Sequence, residues 1–291
     1  MPLSSEARES IIQTLDKAVP NGVPGLVFHA IDKSGATLIS HAAGNLGVDT
    51  PIPMNTSETL FWMASCTKLV TAIAVLQLVE QGKIPLHDEE WLAKIAPEIK
   101  AKKVYRAGSW GDGEEQERGV TMTALTCPPE TQPSFYQSGG TGLFCHPTAF
   151  TTLLACLLNS GICPITQTRI LTPTSVDLLF ANQIPAQPNF ARGNPPPVDV
   201  SLLNDAADIY PQKGDPAQGW GYGGFLTIEE GDTGRGAGTI WWMSIANSVW
   251  WVDRERGVAG CLGMQVLPGW DEFATRVWRE VEKGIYGGLV G

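Results

Sequence analysis

The sequence has little positive charge. It contains 20 Lys and Arg residues against 30 Asp and Glu, which gives a formal net charge of −10. Residues 100–103 are the densest basic cluster, and a solvated surface accounts for them. A nucleic-acid-binding domain needs a basic patch, so the composition argues against nucleic acid as a partner. Hydrophobic residues make up 43 % of the chain and charged residues 17 %, as is usual for a globular protein.

Sequence signals of several other protein classes are also missing. No uninterrupted apolar run reaches membrane-spanning length, and the first residues lack the basic-then-apolar pattern of a signal peptide. We therefore expect a cytoplasmic protein without membrane contact. The six cysteines form no C-x-x-C pair and the four histidines no H-E-x-x-H motif, so we expect no metal site and no cofactor. A G-x-S-x-G nucleophile elbow is absent too.

Apolar patterning predicts both strands and helices. Alternation and turn residues predict strands at 23–31, 37–43, 222–229, 238–246, 248–253 and 258–267. Helical spacing and caps predict helices at 4–19, 65–82, 89–96, 144–160, 172–180 and 271–286. The class predicted from these elements is α+β.

Residues 65–82 carry a pattern with chemical meaning. From Leu69 to Val79 nearly every residue is apolar, and Gly82 is a suitable C-terminal stop. This predicts a helix that begins near Ser65 and is buried on all sides. Ser65 and Lys68 are three residues apart, so their side chains lie on one face of that helix.

Ser65 and Lys68 are the residue types of an activated nucleophile. Near a helix N-terminus the dipole favours negative charge developing on the hydroxyl, and apolar surroundings lower the pKa of an amine. A neutral lysine can then take the proton of the serine. The plainer alternative is a serine N-cap followed by a lysine that extends to solvent.

Five ordered blocks of the chain carry a family resemblance. They are residues 23–32, 59–68, 83–88, 138–145 and 238–253. Together they resemble the serine β-lactamase, penicillin-binding-protein and family VIII esterase superfamily, in which S-x-x-K carries the nucleophile. The best match is to the fungal acyltransferases (transesterases) of polyketide pathways.

The resemblance implies an antiparallel β-sheet flanked by helices, with a reduced helical subdomain. We predict a single β-lactamase-like domain over residues 1–291. Its N-terminal strands and nucleophile helix occupy 1–99, a reduced helical or loop region occupies 100–216, and the C-terminal strands and closing helix occupy 217–291.

The resemblance also assigns roles within the site. Ser65 is the nucleophile and Lys68 its base or proton relay. The backbone N–H groups of Ser65 and Ile245 form the oxyanion hole, where losing one donor costs about 10²–10³ in rate.

A tryptophan and a serine stand in the family's third motif. Trp242-Met243-Ser244 occupies the place of W-x-G, with a serine where the family has glycine. Glycine permits close approach of the backbone, so Ser244 raises the expectation of crowding. Trp242 and its neighbour Trp241 are candidates for the wall of an apolar acyl site.

The family's catalytic tyrosine has no clear match. In the family a largely helical segment carries it, and we expect that segment to be missing between residues 100 and 133. Tyr136 fits Y-x-S formally and is the candidate for this catalytic role, although its surroundings match a later glycine-rich block. Tyr105 and Tyr222 are interpreted as packing or surface residues. General acid–base catalysis typically raises the rate by about 10²–10⁴-fold, so the loss of the family's tyrosine would lower activity strongly.

Two functions remain open. The first is serine-dependent acyl transfer, by an esterase or acyltransferase that forms acyl-Ser65 from a small-molecule ester or thioester. Its partners would be an acyl donor and acceptor, with an acyl carrier protein as a further candidate, and its setting secondary metabolism. The second is a catalytically impaired remnant that binds a ligand or partner. A third alternative is that a gene-model error or an excision removed the helical segment.

Overall fold

The protein is described here from a computed structural model. The described residues are 2–97, 138–190 and 216–290, together with 192–193, 197, 199–206, 209–210, 212 and 214. The predicted gap between residues 100 and 133 lies outside them, as do Tyr105 and Tyr136.

Seven antiparallel strands form the main sheet, in the order β2-β1-β9-β8-β7-β6-β5. A separate two-stranded ribbon pairs β3 with β4. The strands are β1 (Gly25–Asp32), β2 (Thr37–Gly44), β3 (Phe61–Trp62), β4 (Phe144–Cys145), β5 (Gln218–Trp220), β6 (Phe225–Thr227), β7 (Thr239–Met243), β8 (Val249–Asp253) and β9 (Val258–Met264). The sheet joins N-terminal and C-terminal parts of the chain through the β1–β9 pair, which confirms the predicted α+β class.

Six α-helices lie in the described part of the chain. They are α1 (Ser5–Ala18), α2 (Thr67–Glu80), α3 (Glu89–Ile95), α4 (Pro147–Leu158), α5 (Pro173–Phe180) and α6 (Glu272–Gly288). Side chains cap the N-termini of several of these helices. Ser4 accepts from the Ala7 N–H at α1 and Asp271 from the Ala274 N–H at α6, each satisfying a donor that the first helical turn leaves free.

The two faces of the sheet carry separate hydrophobic cores. Helices α1 and α6 cover one face with Ile11, Leu15, Val277 and Val281 among the buried residues. On the other face, α2, α4 and α5 bury a second apolar cluster against the sheet. The candidate site lies on this second face.

Tight turns explain why the predicted hairpins form. Between β1 and β2, the Asp32 carboxylate accepts from the backbone N–H groups of Ser34 and Ala36, and Gly35 has a φ of 81°. Such short side-chain-to-backbone bonds mark a turn. The turn between β8 and β9 is built alike, with Asp253 accepting from the Arg256 N–H.

Three predicted elements differ from the structure. The helix predicted at 144–160 begins only at Pro147, because Phe144–Cys145 pairs with β3. The strand predicted from Tyr222 begins at Phe225, and residues 221–224 are a turn. Helix α2 is not buried all round: it buries Thr67, Leu69, Ile73 and Leu76, while other positions, such as Val75 (36 % exposed), face outward.

Within the described ranges, no helix has both the length and the apolar character needed to cross a lipid bilayer.

Candidate active site

Ser65 lies in a single 3₁₀ turn, Ala64–Cys66, and the α-helix starts two residues later at Thr67. The preceding residue, Ala64, is fully buried with a φ of 38°. A non-glycine residue in this region is strained, and such strain persists only where the surroundings impose it. The sharp bend leaves Ser65 half-buried between a buried Ala64 and a buried Cys66.

The neighbouring thiol anchors this turn. Cys66 is fully buried, and its Sγ lies 3.6 Å from the carbonyl oxygen of Ser248, just before β8. Burial raises the pKa of the Cys66 thiol, so it stays protonated and unreactive as a nucleophile. The thiol therefore links the turn that carries Ser65 to the sheet.

Lys68 lies one turn beyond Ser65, on the same face. Its Nζ is 2.8 Å from the Ser65 Oγ and 3.1 Å from the carbonyl oxygen of Gly140. Desolvation by the surrounding protein lowers the pKa of Lys68 below its usual 10.5. A neutral amine that donates to Gly140 still has a lone pair directed to the serine hydroxyl, so this pair has the geometry of nucleophile and base.

Residues 138–143 form the loop that supports Lys68. Thr71 on α2 donates to the carbonyl of Gly139 at 2.5 Å, and the Leu143 N–H donates to the Thr67 hydroxyl at 3.1 Å. These bonds hold the loop along the first turn of α2. The Gly140 carbonyl is consequently fixed where it orients the lysine amine.

A cavity of about 200 Å³ opens beside Ser65 and Lys68. Three tryptophans, Trp220, Trp242 and Trp250, line it, and the Trp220 and Trp242 rings are 4.7 Å apart between centroids. Leu69 adds an aliphatic side chain. Apolar walls around a few polar groups are typical of a small-molecule site.

The tip of the β5–β6 hairpin closes one side of this cavity. Gly221, Tyr222, Gly223 and Gly224 all line it. Tyr222 therefore lines the same cavity as Ser65 and Lys68, whereas its sequence context predicts a packing or surface residue. The only hint in the sequence was a tyrosine among glycines, which predicts a turn but not where that turn lies.

Ser244 and Ile245 follow β7 and do not line the cavity. The Ser244 hydroxyl accepts from the Ser248 N–H at 3.1 Å, and the Ser244 N–H donates to the Ser248 carbonyl at 2.7 Å. Ser244 is thus occupied in closing the β7–β8 turn, with its side chain 2 % exposed, and does not crowd the cavity. The role of the Ile245 N–H as an oxyanion donor stays a prediction.

Ser65, Lys68, Trp242 and Tyr222 all line this one cavity, and the catalytic and binding roles assigned to the first three stay predictions. The second predicted tryptophan, Trp241, lies in the opposite core against Tyr210 and Trp278. Among the described residues, no group of three His, Cys, Asp or Glu side chains could hold a metal ion.

The chain is similar to known proteins in sequence and in fold. The Beta-lactamase family model matches residues 10–126. The acyltransferase calJ of Penicillium decumbens is 28 % identical over 153 residues, which is 52 % of this chain and 34 % of that protein. The lovastatin esterase of Penicillium rubens is 37 % identical over 94 residues, or 31 % of this chain and 23 % of that protein.

Unliganded simvastatin synthase (LovD) from Aspergillus terreus has a similar structure. The TM-score is 0.70 at 17 % identity, over 98 % of this chain and 99 % of that one. The chain fits the serine β-lactamase-like superfamily. At 17 % identity, this structural likeness shows the fold alone. The sequence matches span about a third and a quarter of the two curated relatives' lengths.

Proposed function

We propose that this β-lactamase-like protein is a serine-dependent acyl-transfer enzyme that forms an acyl-Ser65 intermediate. The observation that carries the proposal is the Lys68 amine 2.8 Å from the Ser65 hydroxyl, at the edge of an aromatic cavity. The names of the relatives, an acyltransferase and an esterase, support the same class of reaction.

The proposed first step is acylation of Ser65. The Ser65 Oγ attacks the carbonyl carbon of an ester or thioester while its proton passes to the neutral Lys68 amine. Backbone N–H groups of Ser65 and Ile245 would hold the negative charge on the carbonyl oxygen. The carbon–oxygen or carbon–sulfur bond to the leaving group then breaks. Water or an alcohol takes the acyl group in the second step.

The cavity restricts the acyl donor. Its walls are largely apolar, so they favour an uncharged acyl chain in the space of about 200 Å³ beside Ser65. We propose small-molecule esters or thioesters as donors, with an acyl group on a carrier protein as the macromolecular form of the same donor. Secondary metabolism in the cytoplasm is the proposed setting.

Intact-mass spectrometry tests the proposal. The protein is incubated with a fluorophosphonate and, separately, with p-nitrophenyl butyrate. We expect one adduct on the wild type and on the control Ser10→Ala, which changes an exposed serine of α1, and none on Ser65→Ala. If the folded wild type forms no adduct with either reagent, the acyl-transfer function is excluded. The alternative, a remnant that binds a ligand or partner without turnover, then remains.

A further inference from the structure

The proposed reaction needs a group that gives a proton to the leaving oxygen. An alkoxide is a poor leaving group, because it departs as a strong base unless it is protonated as the bond breaks. Lys68 has just received the serine proton. Of the described residues that line the cavity, Tyr222 is the other one with a titratable side chain.

The backbone holds the segment around Tyr222 in place. The Gly221 N–H donates to the Gly224 carbonyl at 3.0 Å, and the Gly223 N–H donates to the Leu179 carbonyl at 3.2 Å. A Cβ at position 221 would collide with that same Leu179 carbonyl oxygen. These contacts hold the backbone on both sides of Tyr222 against the last turn of α5, at the edge of the cavity that Ser65 and Lys68 line.

The side chain of Tyr222 is available for chemistry. It is 36 % exposed, and its hydroxyl has no hydrogen-bond partner among the described residues. The other described tyrosines differ. Tyr210 is fully buried, bonds to Thr233 and has a pKa raised by burial to about 12, while Tyr286 packs against the core on the opposite face of the sheet.

We propose that Tyr222 is the acid–base group that protonates the leaving oxygen, an inference that rests on the acyl-transfer function proposed above. As the tetrahedral intermediate collapses, the carbonyl double bond re-forms, the single bond between that carbon and the leaving oxygen breaks, and the leaving oxygen takes the phenol proton of Tyr222. The resulting phenolate is reprotonated by the Lys68 ammonium. The net reaction gives acyl-Ser65, a free alcohol, neutral Lys68 and a neutral tyrosine.

Leaving-group dependence separates this role from a structural one. We compare kcat/KM of Tyr222→Phe and wild type on p-nitrophenyl butyrate and on ethyl butyrate. Nitrophenolate leaves without a proton, so kcat/KM of Tyr222→Phe on p-nitrophenyl butyrate should fall less than about threefold. On ethyl butyrate, kcat/KM should fall about 10²–10⁴-fold. The retained nitrophenyl activity also shows that the variant folds and acylates Ser65.

Each other outcome overturns one defined statement. Equal losses on both esters, or no loss on either, contradict the role of Tyr222. A selective loss in Tyr136→Phe, with Tyr222→Phe unaffected, assigns the acid to Tyr136. If the wild type fails to form an acyl-enzyme even with p-nitrophenyl butyrate, the acyl-transfer function itself fails and the role of Tyr222 fails with it.

Discussion

The Lys68 amine is held between a hydroxyl and a carbonyl, and its protonation state decides what it can do. As an ammonium it only donates, to both Ser65 and Gly140. As a neutral amine it has a lone pair that can accept the serine proton. Since desolvation lowers the pKa of Lys68, the neutral form becomes populated at a lower pH than for a lysine in water.

This predicts a specific pH dependence. The acylation rate should rise with pH as Lys68 loses its proton, and level off above a pKa lower than 10.5. Lys68→Arg keeps a positive charge at every pH tested. Its kcat/KM should therefore be about 10²–10⁴-fold lower than that of the wild type, and it should no longer rise with pH. The measurement is kcat/KM for p-nitrophenyl butyrate against pH. Lys94→Arg, an exposed lysine of α3, is the control and should match the wild type.

The positions of individual residues in the candidate site were only partly predictable from the sequence. Ser65 and Lys68 were predictable because their contact is local, one helical turn apart. Tyr222 was not, because it reaches the site through a hairpin more than 150 residues away in the sequence. Ser244 raised an expectation of crowding, yet its side chain bonds to Ser248, and no pattern in the sequence states that orientation.

Helices α1 and α6 pack closely because α6 presents glycines to α1. A Cβ at Gly284 would lie 2.6 Å from the Ile11 Cγ1, and one at Gly288 would collide with the Ala7 Cβ. Ile11 is 1 % exposed and has little room to move. Gly287, on the same helix, has nothing within 4 Å of the added atom.

Two glycine substitutions on α6 should therefore have opposite effects on stability. Gly284→Ala overpacks the contact with α1 and should cost about 1–3 kcal/mol of unfolding free energy. Gly287→Ala meets no neighbour and should be neutral or stabilise by up to about 1 kcal/mol, because glycine is a poor helix former. Urea denaturation of both variants measures the difference. Equal stabilities would show that the two helices separate at little cost.

The elements were mostly predictable, and the exceptions have physical causes. Strands with alternating patterns and helices with capping residues appear where expected, because both signals are local. Helix α2 was expected to be buried all round since its composition is apolar throughout. Burial, however, depends on which neighbours cover each side. The sheet covers Leu69 and Ile73, while Ala74 and Val75 face away from it.

A buried ion pair ties the sheet to the closing helix. Arg235, between β6 and β7, bonds to Glu282 of α6 at 2.5 Å, and both side chains are fully buried. The Arg235 guanidinium also lies 4.3 Å from the Tyr210 ring centroid and 5.0 Å from that of Trp241. Because the Arg235 charge is removed from water, Glu282 and these aromatic rings must supply the stabilisation that water would otherwise give it.

Breaking this pair should destabilise the whole molecule. Glu282→Gln leaves the Arg235 charge buried without its counter-ion and should cost about 3–5 kcal/mol. The double variant Arg235→Met/Glu282→Leu removes both charges and should recover part of that loss. Glu230→Gln breaks an exposed pair with Arg256 and should cost less than about 1 kcal/mol.

Urea denaturation of these variants measures each cost. An unchanged unfolding free energy for Glu282→Gln would mean that Arg235 is stabilised mainly by the aromatic rings around it. A double variant less stable than Glu282→Gln would show that the pair contributes more than the apolar residues that replace it.

The aromatic wall of the cavity has an optical consequence. Trp220, Trp242 and Trp250 line the space beside Ser65, and indole emission changes with the polarity of its surroundings. An acyl group placed in that space displaces solvent from these rings. Loading and unloading of Ser65 should therefore be visible in the intrinsic fluorescence of the protein, and stopped-flow mixing can follow turnover without a chromogenic substrate or an attached dye.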